Sequence, residues 1–264
     1  MSSLAKMLSI LDLFAVDRPV LTVEDITTEL QFTRPTGYRY LRELHNAGLI
    51  TRFGGGFSLG PRAIELDYII RESDPLLVAG KPVMEELCER YGCHVTLLSL
   101  INDKIICVDH ISSSSDVTVT YGRGHVMPVL RGAGAKAILS KLPRSRQRRL
   151  FALYPEEHAA SVLGQTVAQF CAALQEIRKA EHAISLGELD QNSVGIAVPI
   201  VNDDASLASA IVIVLSKQRF VTVDLSLMTR IVKNAAKLLM DNIEHAANRT
   251  VPLVQPARRR AKDR

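Results

Sequence analysis

Apolar positions in the first sixty residues recur at helical spacing three times and then switch to alternation. Residues 4 to 15, LAKMLSILDLFA, put Leu4, Met7, Leu8, Leu11 and Phe14 or Ala15 on one face, which predicts an amphipathic helix. DRPV reads as a turn. Thr22 caps a second helix, TVEDITTEL, with Glu24 and Asp25 in its first turn, where the helix dipole favours acids. A short turn at Gln31 and Phe32 leads to a third helix that begins after Thr33. Pro35 suits its first turn, Leu41, Leu44 and Ala47 keep helical spacing, and Gly48 stops it. Gly37 inside this helix costs roughly 1 kcal/mol against alanine, which predicts close packing against the second helix at that point. LITRF and FSLG then flank GGG, a hairpin signal.

Residues 61 to 74, PRAIELDYIIRESD, read as a linker helix with Ile64, Leu66, Ile69 and Ile70 as its apolar positions. Another helix, PLLVAGKPVMEELCERY, runs over residues 75 to 91 to a stop at Gly92, with a break or kink expected at Pro82. Strands follow: HVTLLSLI, the turn at Asn102 and Asp103, KIICVDHI, a serine-rich loop at Ser112 to Ser115, then VTVTYG. Helices return at residues 132 to 142, in the basic surface segment PRSRQRRLFALY, and at residues 166 to 183. SVGIAVPIV and ASAIVIVL are strands around the turn NDDAS, and a long helix over residues 222 to 247 closes the chain. Paired strands with helices gathered around them predict an α+β fold, not a βαβ series. The organisation expected is a small domain at 1–60, a linker helix at 61–74, an α+β domain at 75–249 and a tail at 250–264.

Hydrophobic residues make up 47% of the 264 and charged residues 23%, enough to fill real cores. No apolar run approaches the ~18 residues of a membrane span, and MSSLAKMLSILDLF lacks the arrangement of a signal peptide, so a cytoplasmic location is expected. The formal charge of +4 comes from the last seven residues, RRRAKDR, so residues 1 to 257 are formally neutral. That tail is expected to be disordered and solvated. Cys88, Cys93, Cys107 and Cys171 form no CxxC pair, and Cys88, Cys93 and His94 fall short of a closed zinc shell, so no metal is expected. Cys107, Asp109 and His110 could suggest a nucleophile and base, but residues 107 and 110 of a regular strand face opposite ways. With no nucleophile elbow or phosphate loop, the chain reads as neither an enzyme nor a cofactor protein, and no catalytic residue is assigned. His94 and His110 read as satisfied strand-edge residues.

Charge does change the picture around the third helix. Arg34, Arg39, Arg42 and Arg52 fall in residues 33 to 60 against one acid, Glu43. Three helices and a hairpin with arginines at the exposed start of the third helix form the pattern of a winged helix-turn-helix. The third helix then enters the major groove of double-stranded operator DNA. Arg34, Thr36, Tyr38 and Arg39 fall on its first turns, where base edges are reached, and either arginine suits a bidentate contact to guanine. Thr33 and Thr36 suit phosphate oxygens, Arg42 a phosphate further along, and Arg52 with its glycines the wing.

SLAKMLSILDLF, TRPTGYRYLRELHNAGLI, FSLGPRAIELD, VMEELCERYGCHVTLLSLINDKIICVD, MPVLRGAGAKAILSKLP and GELDQNSVGIAVPIVND together resemble the isocitrate-lyase-regulator (IclR) family of bacterial transcription factors. The resemblance runs from about residue 3 to about 247. It implies an N-terminal winged helix-turn-helix, a C-terminal α+β effector domain of GAF-like fold, and assembly as a homodimer or dimer of dimers. It also implies a small organic acid as effector. The matching pocket positions are Leu130, Arg131, Gly132, Ala133, Gly134 and Ala135, the strand around Gly195, and Val212 and Val214, with Glu188 and Asp190 near the mouth. The family often carries a cysteine where Gly195 stands, serines where Val212 and Val214 stand, and a histidine where Leu130 stands. These departures make the pocket roomier or more apolar, so an effector with an apolar or aromatic body is expected. Its carboxylate has two candidate partners, the Arg131 guanidinium and the N–H groups of residues 132 to 134; Arg131 pointing to solvent is the alternative. A DNA-binding regulator without any small-molecule effector is the alternative function.

Overall fold

The computed structural model describes residues 2–113, 119–202 and 207–250. The expected tail therefore lies outside the described residues, except for Thr250. The chain divides into two compact units, Met1–Asp74 and Pro75–Arg264.

In the first unit, α1 is Ser3–Leu8, α2 Val23–Glu29 and α3 Arg34–Asn46, followed by β1 Ile50–Phe53, β2 Gly56–Leu59 and α4 Arg62–Ser73. The first helix is shorter than its apolar pattern predicts. A 3-10 turn at Leu11–Leu13 rephases the chain, so Ile10 becomes fully buried while Leu4 and Leu8 stay exposed. Thr22 caps α2 in a reciprocal capping box with Asp25. Leu41 and Leu44 of α3 are buried as expected, but Ala47 is exposed; Gly37 and Tyr40 complete the inward stripe. A Cβ on Gly37 would lie 2.6 Å from Cγ2 of Thr27, so α2 and α3 touch where the glycine stands. The hairpin turn is Gly54-Gly55, both at positive φ, and Gly56 belongs to β2. Two central residues at positive φ match the right-handed strand twist. Leu21 forms an isolated antiparallel bridge to Phe57 of the wing. Ile64, Leu66, Tyr68, Ile69 and Ile70 of α4 are all exposed, so its apolar positions find no partner within this unit.

The second unit opens with α5, Pro75–Tyr91, which runs through Pro82 without the expected break. A six-stranded antiparallel sheet follows, in the order β5-β4-β3-β8-β7-β6. Its strands are β3 His94–Ile101, β4 Lys104–Ser112, β5 Val126–Met127, β6 Ala183–Leu186, β7 Ser193–Val201 and β8 Ala208–Ser216. The predicted strand VTVTYG is absent at residues 119 to 122, its described part; the chain turns at Arg123-Gly124 and the edge strand is β5. Helices α6 Ala133–Lys141, α7 Arg144–Leu153 and α8 Val167–Ala180 stand between β5 and β6. Two helices close the chain, α9 Lys217–Thr222 and α10 Leu225–Thr250. Strand β6 and helix α9 were not expected from the periodicity.

Period-two alternation assigns each strand residue to one of two cores. Val95, Leu97, Ile196, Val198, Ile211 and Ile213 face α5 and α10. Leu98, Leu100, Ala197, Ala210 and Val212 face α6, α7 and α8. The basic helix α7 is not wholly a surface element: Gln147, Leu150 and Phe151 are buried, and Gln147 Nε2 donates to the Leu139 carbonyl at 2.9 Å. A bulge in β4 alters one expectation. Leu97 pairs with Asp109 and Leu98 with Cys107, so Val108 is the extra residue. Cys107 and His110 consequently share one sheet face instead of opposing each other.

Candidate nucleic-acid interface and ligand cavity

The exposed side of α3 and the wing form one groove. Pro35, Tyr38, Arg39, Leu41, Arg42, His45, Arg52 and Phe57 line it. Arg39, Arg42 and Arg52 are exposed, and Tyr38 is 59% exposed, large for an aromatic with no solvent function of its own. Arg39 lies over the Tyr40 ring and Arg52 over the Phe57 ring, at 5.2 and 5.7 Å from the centroids. The buried rings thus brace guanidinium groups whose outer edges stay free for an anion. Arg42 sits 3.4 Å from Glu43 and Arg34 is paired with Glu24, in both cases at exposed sites where an ion pair is weak. Thr33 caps α3 without a side-chain bond to its backbone; its hydroxyl donates to Thr36 Oγ1 at 2.9 Å. Pro35 and His45 line the groove although the sequence reading did not single them out.

The second unit holds a cavity of about 490 Å³, open mouth included, between the sheet and the start of α6. Its floor is the face of β3, β8, β7 and β6 that carries Thr96, Leu98, Val212, Val214, Gly195 and Ser185. Ala133 and Gly134 roof it, with Met127, Val119 and Tyr121 on one flank and Leu189, Asp190 and Ser193 on the other. The roof sits low because glycines permit it. A Cβ on Gly134 would fall 2.2 Å from Leu98 Cδ1, and one on Gly195 would fall 2.8 Å from Ser185 Oγ.

Of the pocket positions implied by resemblance, Ala133, Gly134, Asp190, Gly195, Val212 and Val214 line this cavity, and Leu130, Arg131, Gly132 and Ala135 do not. Leu130 is fully buried in the core under α6. Arg131 is half-buried, its Nε enclosed and without a hydrogen-bond partner among the described residues. The N–H of Gly132 is already taken, because Glu188 Oε2 accepts it at 2.8 Å. Glu188 is therefore no mouth residue. It is paired with Lys136, and both side chains are less than a tenth exposed. Lys136 Nζ also donates to the Ile184 carbonyl at 2.6 Å. Glu157 accepts from the amides of Val129 and Leu130 at 3.0 and 2.8 Å. Two carboxylates of the chain itself thus hold the loop that leads into α6, and the amides of Ala133, Gly134 and Ala135 remain as the helix's open donors. Asp190 accepts from the hydroxyl and amide of Thr120, which draws the 119 to 121 segment across the flank.

Thr96, Leu98, Tyr121, Met127, Ser185, Leu189 and Ser193 went unnoticed in the sequence. Alternation along HVTLLSLI does place Thr96 and Leu98 together on one face, so that signal was present. Ser185 had none, because its strand was not recognised.

The thiol of Cys107 is no nucleophile even though the bulge brings it to the face of His110. Burial pushes it up to about 12 and Cys93 up to about 11, so neither is a thiolate near neutrality.

Residues 71–240 match the family model described as "Bacterial transcriptional regulator IclR C-terminal", and residues 3–53 match "IclR helix-turn-helix domain". The transcriptional regulator KipR of Bacillus subtilis is 28% identical over 238 residues, 89% of this chain and 94% of that protein. The p-hydroxybenzoate hydroxylase transcriptional activator of Acinetobacter baylyi is 23% identical over 206 residues, 76% of each. In fold, the chain is similar to an IclR homologue from Microbacterium hydrocarbonoxydans, crystallised with 4-hydroxybenzoate, at a TM-score of 0.72 and 22% identity over 92% of this chain and all of that one.

Proposed function

Because the chain belongs to the IclR family of bacterial transcriptional regulators, we propose that it controls a catabolic operon for an aromatic or other organic acid, with that acid as its effector. It is a DNA-binding regulator and not an enzyme. The observation that carries the effector reading is the cavity: an apolar floor of Leu98, Val212 and Val214 closed over by the start of α6, whose amides of Ala133 and Gly134 have no acceptor in the helix. An apolar body with one anionic end fits that arrangement. The relative from Acinetobacter and the homologue holding 4-hydroxybenzoate point to the same class of molecule. Asp190, Gly195, Val212 and Val214 are assigned as contacts to the effector's body and edges. Arg131, outside the lining, is assigned no direct contact, and the carboxylate is assigned to the α6 amides instead.

On the DNA side, Arg34, Thr36, Tyr38 and Arg39 are assigned to base edges and Thr33, Arg42 and Arg52 to the backbone. One module reads too few bases for specificity, so the working unit is a homodimer. The exposed Ile64, Tyr68, Ile69 and Ile70 of α4 supply an apolar surface for it. No helix among the described residues is long and apolar enough to cross a membrane, consistent with action in the cytoplasm.

A gel-shift on DNA from upstream of the protein's own gene, with and without aromatic and aliphatic acids, tests this. A specific shift that one acid alters supports the reading. A specific shift that no acid alters favours a regulator without an effector.

A further inference from the structure

The basic segment of the second unit takes no part in the cavity. Residues 141 to 149, KLPRSRQRR, carry five bases and no acid, in a chain whose first 257 residues sum to formal neutrality. The fold sorts these charges into two groups. Arg149 pairs with Asp103 of the β3–β4 turn, and Arg146 reaches the same carboxylate at 3.9 Å. Arg144 and Arg148, one turn apart on α7, are exposed and make no ion pair or side-chain hydrogen bond with a described residue. Arg178 of α8 is exposed and unpaired in the same sense. Arg144 and Arg178 line one groove of about 620 Å³, open mouth included, together with Gln175 and the buried Leu142 and Cys171, and no carboxylate faces into it.

The scaffold beneath these arginines holds without them. Leu150 and Phe151 are buried, and Gln147 Nε2 donates to the carbonyls of Leu139 and Leu142 at 2.9 and 3.3 Å, which ties α7 to the end of α6. Solubility alone is served by mixed signs; here one sign stands unmixed. What the face lacks identifies its partner. No large apolar side chain is exposed between Val126 and Leu153, or between Val167 and Leu186. Protein partners are held by aromatic or apolar anchors in desolvated pockets, and this face offers none. A partner held by charge alone is a polyanion, and arginine takes its phosphates by paired hydrogen bonds. A helix rise of about 6 Å separates Arg144 from Arg148, roughly two phosphate steps along one DNA strand at about 3.4 Å each.

We propose that Arg144, Arg148 and Arg178 bind the phosphate backbone of DNA flanking the bases read by α3, so that the second unit adds a sequence-independent contact to operator binding. This rests on the reading of the chain as an operator-binding regulator and extends its DNA surface beyond the winged unit.

The test uses the full-length protein and two duplexes of its own upstream DNA. One is trimmed to the shortest length that keeps a specific shift. The other extends it by two helical turns, about 20 base pairs, on each side. Anisotropy titrations compare the wild type, Arg144→Ala/Arg148→Ala/Arg178→Ala and the triple variant with Lys at the same positions. At the lowest salt the wild type should bind the extended duplex about tenfold more tightly than the short one, and the Ala variant should bind both alike. On the extended duplex the Ala variant's salt dependence should be shallower by about 0.9 in log–log slope per arginine. Between about 50 and 200 mM salt it should therefore lose on the order of 40-fold less affinity for each protomer engaged. The Lys variant keeps the charges and should keep the steeper slope. Thermal unfolding of each variant guards against loss of fold. A wild type that binds both duplexes alike, an Ala variant with the full slope, or a Lys variant as shallow as the Ala variant overturns the assignment, while operator binding through α3 stands. If the wild type shows no specific shift on any upstream duplex, the operator-binding reading fails, and this assignment with it.

Discussion

Lys136 of α6 and Glu188 of the β6–β7 connection are paired inside the second unit, and the same carboxylate accepts the N–H of Gly132 at 2.8 Å. One buried contact therefore fixes the start of α6 to the segment that brings Leu189 and Asp190 to the cavity.

Removing one partner strands a charge. Lys136→Met leaves Glu188 buried and unpaired and should lower the unfolding free energy by about 3–5 kcal/mol. The double variant Lys136→Met/Glu188→Leu should cost less than Lys136→Met alone. Urea unfolding of the single and double variants measures this, and a double variant as unstable as the sum of the singles contradicts it.

Gly37 stands where α2 and α3 touch, with a Cβ position 2.6 Å from Thr27 Cγ2. Gly37→Ala gains about 1 kcal/mol of helix propensity but should still destabilise the N-terminal unit by about 1–3 kcal/mol through overpacking. Thr27→Ser removes the clashing methyl and keeps the hydroxyl that donates to the Val23 carbonyl at 2.8 Å. Adding it to Gly37→Ala should recover most of the loss in thermal unfolding.

Arg39 and Arg42 should separate on DNA. Arg39→Ala should cost about 1–3 kcal/mol and relax specificity at one base pair, whereas Arg42→Ala should weaken binding to all sequences and reduce the salt slope by about one. Anisotropy titrations on matched and single-mismatch operators over a range of salt distinguish the two. Equal relaxation by both variants would reassign Arg42 to a base edge.

His110 couples stability to pH. Burial holds its imidazolium below the ordinary 6.5, against an opposing pull from Asp109. The unfolded chain then binds the proton more readily, so stability should fall as pH drops below about 6.5. The loss continues until the folded-state value is passed. His110→Asn should flatten that dependence in unfolding curves taken between pH 7 and 5; an unchanged slope would place the titration elsewhere.

What could be read from the sequence was local. Thr22, with Glu24 and Asp25 in the first turn, announced α2 because a cap and its dipole partners lie within four residues, and the run of three glycines from Gly54 announced the hairpin because a tight turn needs positive φ. The features that resisted reading depend on distant partners. Ala47 keeps helical spacing yet is exposed, because α3 ends at Asn46 and Ala47 is its C-cap. The bulge at Val108 is a property of the β3–β4 pair, and it turned Cys107 and His110 to one face. Glu188 looked like a mouth residue until Lys136, more than fifty positions away, was seen to bury it. Thr96 was visible in the alternation of β3, but that it lines a cavity could not be known before the roof and flanks were placed.

Coupling between the two sites is the central claim, and operator affinity with and without ligand tests it most directly. The full-length protein is titrated onto its labelled upstream DNA at fixed salt, first alone and then with saturating 4-hydroxybenzoate. The account predicts a change in Kd of about 5- to 150-fold, the usual range of allosteric coupling. An operator Kd that stays the same while calorimetry shows the acid bound would contradict it.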